Sequence, residues 1–358
     1  QLDLNEKIIK DEITNKSICI TGAGGSIGKE LVKQVLNYFP SNIYLIDSSE
    51  NNLYKLIQEL DSLNIKSIDI SFHLLNCLDK GPLNKLFETR KIDIIFHAAA
   101  YKHVPIVEDN PFSGIKNNII STKNICDLSI KNKVEKVILI STDKAVRPTN
   151  IMGTTKRVSE IIMQLYDKKV KNSENNLKTI FSIVRFGNVL NSSGSVVPLF
   201  NKQIRSGGPI TLTHPDIVRF FMTIPEATKL VIQASVMAFG GDVFILDMGE
   251  PQKIYDLAKN MIKLSGFTLK DKDNPKGDIE IVTTGLRPGE KLYEELLING
   301  ESIPTIHPLI FKSNEDISSI KEKWQYLIFL EKAISNIDEL QALRYLEKLV
   351  PEWKKSVN

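Results

Sequence analysis

Short apolar runs alternate with stretches of helical periodicity through the first half of the chain. Ser17-Ile18-Cys19-Ile20-Thr21 is a β-type run that breaks into a glycine cluster. A pattern with Ile27, Leu31, Val35 and Leu36 on one face follows, which predicts an amphipathic helix. Ile43-Tyr44-Leu45-Ile46 makes the next buried strand and ends at Asp47. Ser49 or Asn51 then offers an N-cap for a helix carrying Leu53, Leu56, Ile57 and Leu60. Further strands are predicted near 68–75, 93–97, 136–141 and 179–185, with helices between them. This alternation implies an α/β fold: a doubly wound, mostly parallel, Rossmann-like sheet covered on both faces.

After about Asn188 the rhythm becomes irregular as glycine and proline accumulate. A strand is predicted at 243–246 and helices near 253–265 and 289–298, while the polar stretch 168–178 reads as an exposed loop. The expected division is a linker or lead-in helix over 1–15 and a dinucleotide-binding domain over 16–190, with a returning segment near 225–250. A smaller, interleaved substrate lobe over 191–310 and a helical tail over 311–358 complete it.

Composition narrows the classes of partner. Lys+Arg number 46 against Asp+Glu 43, interspersed along 358 residues, which argues against nucleic acid. Cys19, Cys77 and Cys126 share no metal-like spacing and suit a reducing compartment. The five histidines form no HxxxH or HxH pair, so no metal is expected. No apolar run approaches the roughly 18 residues of a membrane span, and no signal peptide is visible. Because the chain starts at Gln1, it reads as a soluble piece of a longer protein, touching a membrane only through a segment it lacks.

Thr21-Gly22-Ala23-Gly24-Gly25-Ser26-Ile27-Gly28 lies between the first strand and the first long helix. Gly22 permits a tight turn, Gly25 lets backbone approach a pyrophosphate, and Gly28 lets helix and strand pack closely. The N–H groups at Ser26 and Ile27 open the helix towards the anion. Asp47 ends the second strand 19 residues after Gly28, where a carboxylate accepts from ribose hydroxyls and repels a 2′-phosphate. NAD is therefore favoured over NADP. Asn76 follows the third strand, where an adenine edge would be read, and Ala98 and Ala99 end the fourth with side chains small enough to lie against a cofactor.

The run from Ile140 to Lys156 leaves a strand at its C-terminal end, where open α/β sheets place ligands. Beyond the strand's end Asp143 and Lys144 can face one pocket, and an acid beside a base suits an elimination; a solvated ion pair on a loop is the alternative. The glycine fingerprint, Ser141-Thr142-Asp143-Lys144 and Lys156 resemble the extended short-chain dehydrogenase/reductase family. Within it, the chain is similar to UDP-N-acetylglucosamine 4,6-dehydratases of bacterial polysaccharide and protein glycosylation. Tyr101-Lys102-His103-Val104-Pro105, Arg185-Phe186-Gly187-Asn188-Val189, Gly207-Gly208-Pro209, Arg219-Phe220-Phe221-Met222 and Leu286-Arg287-Pro288-Gly289-Glu290-Lys291 extend the likeness from about Ser17 to Leu297. The family's usual Tyr-x-x-x-Lys here reads Met152-x-x-x-Lys156, and a thioether takes no proton. Methionine there resembles the larger, membrane-anchored dehydratases, including the configuration-retaining enzyme that opens the bacillosamine pathway.

The resemblance implies hydride transfer from sugar C4 to NAD, loss of water across C5 and C6, and hydride return to C6. Lys144 is then the C5 base and Asp143 the acid to O6, as a neutral pair favoured by a dry pocket. Thr142 orients the C4 hydroxyl, Lys156 binds the nicotinamide ribose, and Asn118 supports the local backbone. Arg219 and Arg287 are expected to clamp the diphosphate, with a surface salt bridge as the alternative for each. Glu290 accepts from the uridine ribose or positions Arg287, Asn188 contacts the sugar or diphosphate, and Lys102 and His103 the sugar. UDP-N-acetylglucosamine is the expected substrate, a homo-oligomer contacting through two nucleotide-lobe helices the expected assembly, and the cytoplasmic side of the inner membrane the expected place of the longer protein. A nucleotide-sugar C4 epimerase and a non-catalytic NAD-sensing regulator are the competing readings.

Overall fold

A computed structural model describes residues 5–63, 67–174, 177–297, 302–315 and 317–354. The first helix, α1 (Glu6–Ile13), buries Ile9 and Ile13 completely. The alternation then runs β1 (Ser17–Thr21), α2 (Ser26–Leu36), β2 (Asn42–Asp47), α3 (Glu50–Asp61), β3 (Asp69–Leu74), α4 (Lys80–Thr89) and β4 (Ile94–His97). Two short helices, α5 (Val104–Asp109) and α6 (Pro111–Ile115), lead through a π-helical turn at Lys116–Ile120 into α7 (Ser121–Lys131). β5 (Lys136–Thr142), α8 (Ile151–Lys171) and β6 (Ile180–Phe186) complete the first half. Ser49 caps α3, its side chain accepting from Asn52 N–H. α8 runs to Lys171, so the first part of the expected 168–178 loop is helix; 175–176 lie outside the described residues.

The smaller half holds β7 (Asn188–Val189), α9 (Val196–Arg205), β8 (Ile210–Leu212), β9 (Val218–Arg219), β10 (Phe221–Met222), α10 (Ile224–Val236) and β11 (Val243–Leu246). After these come β12 (Gln252–Lys253), α11 (Ile254–Leu264), β13 (Leu269–Lys270), β14 (Ile279–Thr283), β15 (Ser302–Pro304), β16 (Ile310–Ser313), α12 (Ile320–Ser335) and α13 (Glu339–Leu349).

The main sheet has the order β15-β16-β11-β6-β5-β4-β1-β2-β3. Strands β11 to β3 run parallel, while β16 and β15 join antiparallel at the edge. The order reverses between β1 and β4, where Thr21 pairs with His97, the position at which open α/β sheets take ligands beyond their C-terminal ends. Successive residues of each strand feed opposite cores: Ile18 and Ile20 pack with α2, α3 and α10, while Cys19 packs with α4, α7 and α8. A third core, built on Phe200, Ile204, Ile210, Ile217, Ala258 and Ile262, holds the small lobe together.

Two expectations are corrected. The segment expected to be a helical tail from 311 opens with β16, which extends the main sheet. The helix expected at 289–298 is absent from its described residues; 289–297 is an irregular strap. Gly289 has φ +73, and a Cβ there would lie 2.7 Å from Asn150 Cβ, so the strap is fitted against the start of α8 rather than coiled. Helices α12 and α13 pack over α7 and α8, with Trp324 on Tyr166 and Lys123 paired to Glu331. Among the described residues, no helix is long and apolar enough to cross a membrane.

Candidate active site

The glycine loop is shaped by what cannot fit there. Gly22 has φ +65, and a Cβ on it would come within 2.8 Å of Ala99 Cα. A Cβ on Gly28 would stand 2.0 Å from the Gly22 carbonyl oxygen, so α2 touches the turn backbone to backbone. Gly25 starts α2 without a side-chain cap, leaving the first-turn N–H groups to an anion. Asp47 is buried, its carboxylate accepting from Gly24 N–H (2.9 Å) and Ser49 N–H (2.8 Å). The carboxylate therefore ties the glycine loop to β2 and keeps lone pairs for a ribose. Asn76 closes a local turn, accepting from Leu78 N–H at 3.0 Å. Ala98 and Ala99 follow β4 beside the loop, with both N–H groups donating to Thr21. Ser26 accepts from Ser193 N–H of the segment that reaches over the loop. The glycine turn, the uncapped start of α2 and the Asp47 carboxylate thus lie together at the ends of β1 and β2.

His97, at the end of β4, is fully buried between the Thr21 and Thr122 hydroxyls. Burial, followed by the nearby Lys156 ammonium, pushes it down to about 3, so the ring is neutral. Lys156 is itself buried and donates to the Ile140 carbonyl at 2.8 Å. Burial lowers its pKa to about 8, partly opposed by Glu160. Met152, one turn earlier on α8, sits in the apolar core. Asn118 bridges both backbone polar groups of Tyr101 and the Thr155 hydroxyl, holding the turn after β4.

The end of β5 brings the expected pair together. Thr142 donates to Asp143 Oδ1 (2.9 Å), and Lys144 Nζ donates to the same oxygen (3.0 Å) and to Asn188 Oδ1 (3.0 Å). Asp143 is fully buried, and its Oδ2 has no hydrogen-bond partner among the described residues. A Cβ on Gly187 would stand 3.1 Å from that oxygen, so a glycine keeps this side of the carboxyl open. Burial alone lowers the Lys144 pKa, but the Asp143 and Glu294 carboxylates outweigh it and hold the ammonium above its ordinary value.

Glu294, which sequence reasoning passed over, stands 3.6 Å from Lys144 Nζ with its side chain only 4% exposed. It continues the Arg287-Pro288-Gly289-Glu290-Lys291 motif, and reading on three residues would have found it. The strap that carries it is tied down on both sides. Thr149 and Asn150 donate to the Gly289 carbonyl, Lys291 Nζ to the Val146 carbonyl at 2.8 Å, and Arg147 pairs with Glu295. Buried Arg185 donates to the Leu296 carbonyl at 3.1 Å.

The two arginines separate. Arg219 is buried and committed to the Val218 and Leu292 carbonyls, with Glu290 at 3.6 Å and Glu294 at 3.9 Å. It braces the strap through Nη1, while Nη2 and Nε make only the longer contacts to the two glutamates. Arg287 is exposed, its N–H donating to Glu290, which also accepts from Thr213. Lys102 and His103 lie exposed after β4, the His103 ring resting over Gly194.

Fold and site define the class: a doubly wound, mostly parallel α/β scaffold with a buried aspartate–lysine pair beyond the end of β5. The comparisons name the family. Residues 18–314 match the family described as polysaccharide biosynthesis protein, and the chain belongs to it. It is 48% identical to the capsular polysaccharide biosynthesis protein CapD of Staphylococcus aureus, over 86% of this chain and 48% of that one, and so spans about half of that relative's length. It is 33% identical to the UDP-N-acetylglucosamine 4,6-dehydratase (inverting) of Campylobacter jejuni, over 80% of this chain and 79% of that one. The solved structure of Pen from Bacillus thuringiensis matches with a TM-score of 0.74 and 34% identity, over 86% of this chain and 89% of that one.

Proposed function

We propose that the chain catalyses NAD-dependent 4,6-dehydration of UDP-N-acetylglucosamine, giving a UDP-2-acetamido-2,6-dideoxy-4-keto-hexose. The observation that carries this reading is the Asp143–Lys144 pair at the end of β5, with one carboxylate oxygen buried and without a hydrogen-bond partner among the described residues. An epimerase inverting C4 needs no such pair. Bound NAD would supply a hydride acceptor for C4 and the hydride for C6. The glycine loop, the α2 N-terminus and Asp47 hold the dinucleotide, and Lys156 holds the nicotinamide ribose.

Lys144 begins as an ammonium bonded to Asp143. Closure of a sugar over the pair removes water, and the proton passes along the 3.0 Å hydrogen bond to Asp143. This leaves a neutral amine and a carboxylic acid with the same net charge. The amine takes the C5 proton, made acidic by the C4 ketone; Asp143 gives its proton to O6, which leaves as water. As C6 is reduced, the Lys144 ammonium gives a proton back to C5 and becomes a neutral amine; the proton shed by the C4 hydroxyl at the oxidation step reaches that amine through solvent and restores the ammonium beside the carboxylate. Thr142 orients the C4 hydroxyl, Asn188 keeps Lys144 in place, Arg287 meets the diphosphate, and Lys102 and His103 border the sugar. Met152 in the tyrosine position favours retention at C5 by analogy with the larger dehydratases.

Incubation with UDP-N-acetylglucosamine tests the reading. A 4-keto-6-deoxy product absorbing in alkali supports it, whereas UDP-N-acetylgalactosamine as sole product would make the chain an epimerase.

A further inference from the structure

Two carboxylate oxygens of this pocket, Asp143 Oδ2 and Glu294 Oε2, are buried without a hydrogen-bond partner among the described residues. Such atoms are rare in folded proteins, because a desolvated carboxylate oxygen needs a donor. Acid transfer to O6 accounts for Asp143. Nothing derived so far accounts for Glu294.

Its surroundings limit the answer. Glu294 Oε1 faces Lys144 Nζ at 3.6 Å and Arg219 Nε at 3.9 Å, distances of charge pairing rather than hydrogen bonding. The strap fixes its backbone through Lys291 and the Leu296 carbonyl, so the carboxylate is held in place rather than trailing in solvent. A diphosphate has no proton to donate at neutral pH and would be repelled by this charge. A hexose ring, by contrast, carries several hydroxyl donors. We propose that Glu294 contacts the substrate: Oε2 accepts a hydrogen bond from a sugar hydroxyl while Oε1 steadies the Lys144 ammonium. The proposal rests on the function given above and adds a second carboxyl, beside Asp143, to the reacting centre.

Two consequences follow from the geometry. Removing the Glu294 acceptor weakens UDP-sugar binding but not UDP binding, because the lost contact is to the sugar. The charged groups facing Lys144 are Asp143, Glu294 and Arg219, with Lys291 beside Glu294. Removing the Glu294 charge therefore loosens the hold on the ammonium's proton, which turnover needs, and the alkaline limb of kcat moves to lower pH.

The test is Glu294→Gln in the NAD-loaded protein, titrated calorimetrically with UDP-N-acetylglucosamine and with UDP. About ten- to a hundredfold weaker UDP-sugar binding is expected, from the worth of a hydrogen bond to a charged acceptor, with UDP affinity unchanged. Equal weakening of both ligands would instead mark a brace for Arg219 and overturn the proposal, as would no change in either. Glu294→Asp keeps the charge but withdraws the oxygen by one methylene. It is expected to lose sugar affinity while the alkaline limb stays nearer the parent's, and it serves if the glutamine variant fails to fold. A parent protein that binds UDP-N-acetylglucosamine no better than UDP, and does not turn it over, would overturn the substrate reading itself rather than the part given to Glu294.

Discussion

Replacing Arg185 with methionine removes the cation at the centre of a buried network that joins the C-terminal segment to the reaction strand. Its guanidinium is fully buried and donates to Glu160 (2.8 and 3.1 Å), to Glu315 (2.8 Å) and to the Leu296 carbonyl. Glu160 is also fully buried and accepts from Ser141 at the end of β5. Burial would raise its pKa; the Arg185 and Arg157 guanidiniums win and hold it at about 2 instead of the usual 4.5. That interval corresponds to about 3 kcal/mol, at 1.36 kcal/mol per pH unit. Without Arg185, Arg157 still reaches Glu160 at 3.0 Å and Glu315 at 3.2 Å, but two neighbouring carboxylates share one partner. The expected loss is about 3–5 kcal/mol at pH 7, the range for breaking a buried pair from one side. Because the folded pKa of Glu160 lies below its unfolded value, its contribution is complete above about pH 4.5 and is lost as pH falls towards 2. The gap between parent and variant should accordingly narrow as pH drops through that window. Urea unfolding followed by tryptophan fluorescence reads both quantities. Adding Glu160→Gln to Arg185→Met should recover part of the loss, since fewer charges are then left unpaired. A single variant within about 1 kcal/mol of the parent at pH 7 would refute the reasoning.

Two further outcomes concern the cofactor side. Gly28→Ala drives a methyl into the Gly22 carbonyl, and the protein should purify without NAD and lose about 1–3 kcal/mol of stability, measured by nucleotide extraction and thermal melting. Lys156→Met should flatten an alkaline stability slope. The folded ammonium titrates near 8 and the unfolded one near 10.5, so unfolding takes up a proton between them and stability rises with pH; urea melts at two pH values across that interval check it.

The parallel half of the sheet was legible because each strand is a short apolar run punctuated by a helix start, as with Ile43–Ile46 ending at Asp47 and Ser49. Lys144 and Asp143 were legible because a strand's C-terminal end is a place, not merely a pattern. The strap was not. Leu292, Leu296 and Leu297 with two glutamates imitate a helical face, yet contacts to Gly289, Lys291 and Leu296 from distant residues set its course. β16 was hidden for a similar reason: four residues after a proline-containing turn join the sheet only because the β11 edge is there to pair with. The Arg185–Glu160–Glu315 network links positions far apart in sequence, and nothing local marks any of the three as buried.

Nuclear magnetic resonance of the product formed from UDP-N-acetylglucosamine in D₂O puts the Asp143–Lys144 chemistry to the most direct trial. A 4-keto-6-deoxy sugar carrying solvent deuterium at C5 is expected from the parent protein, with turnover reduced about 10²–10⁴-fold in Lys144→Met. A product whose C5 keeps its original hydrogen, or a Lys144→Met variant as fast as the parent, would contradict it.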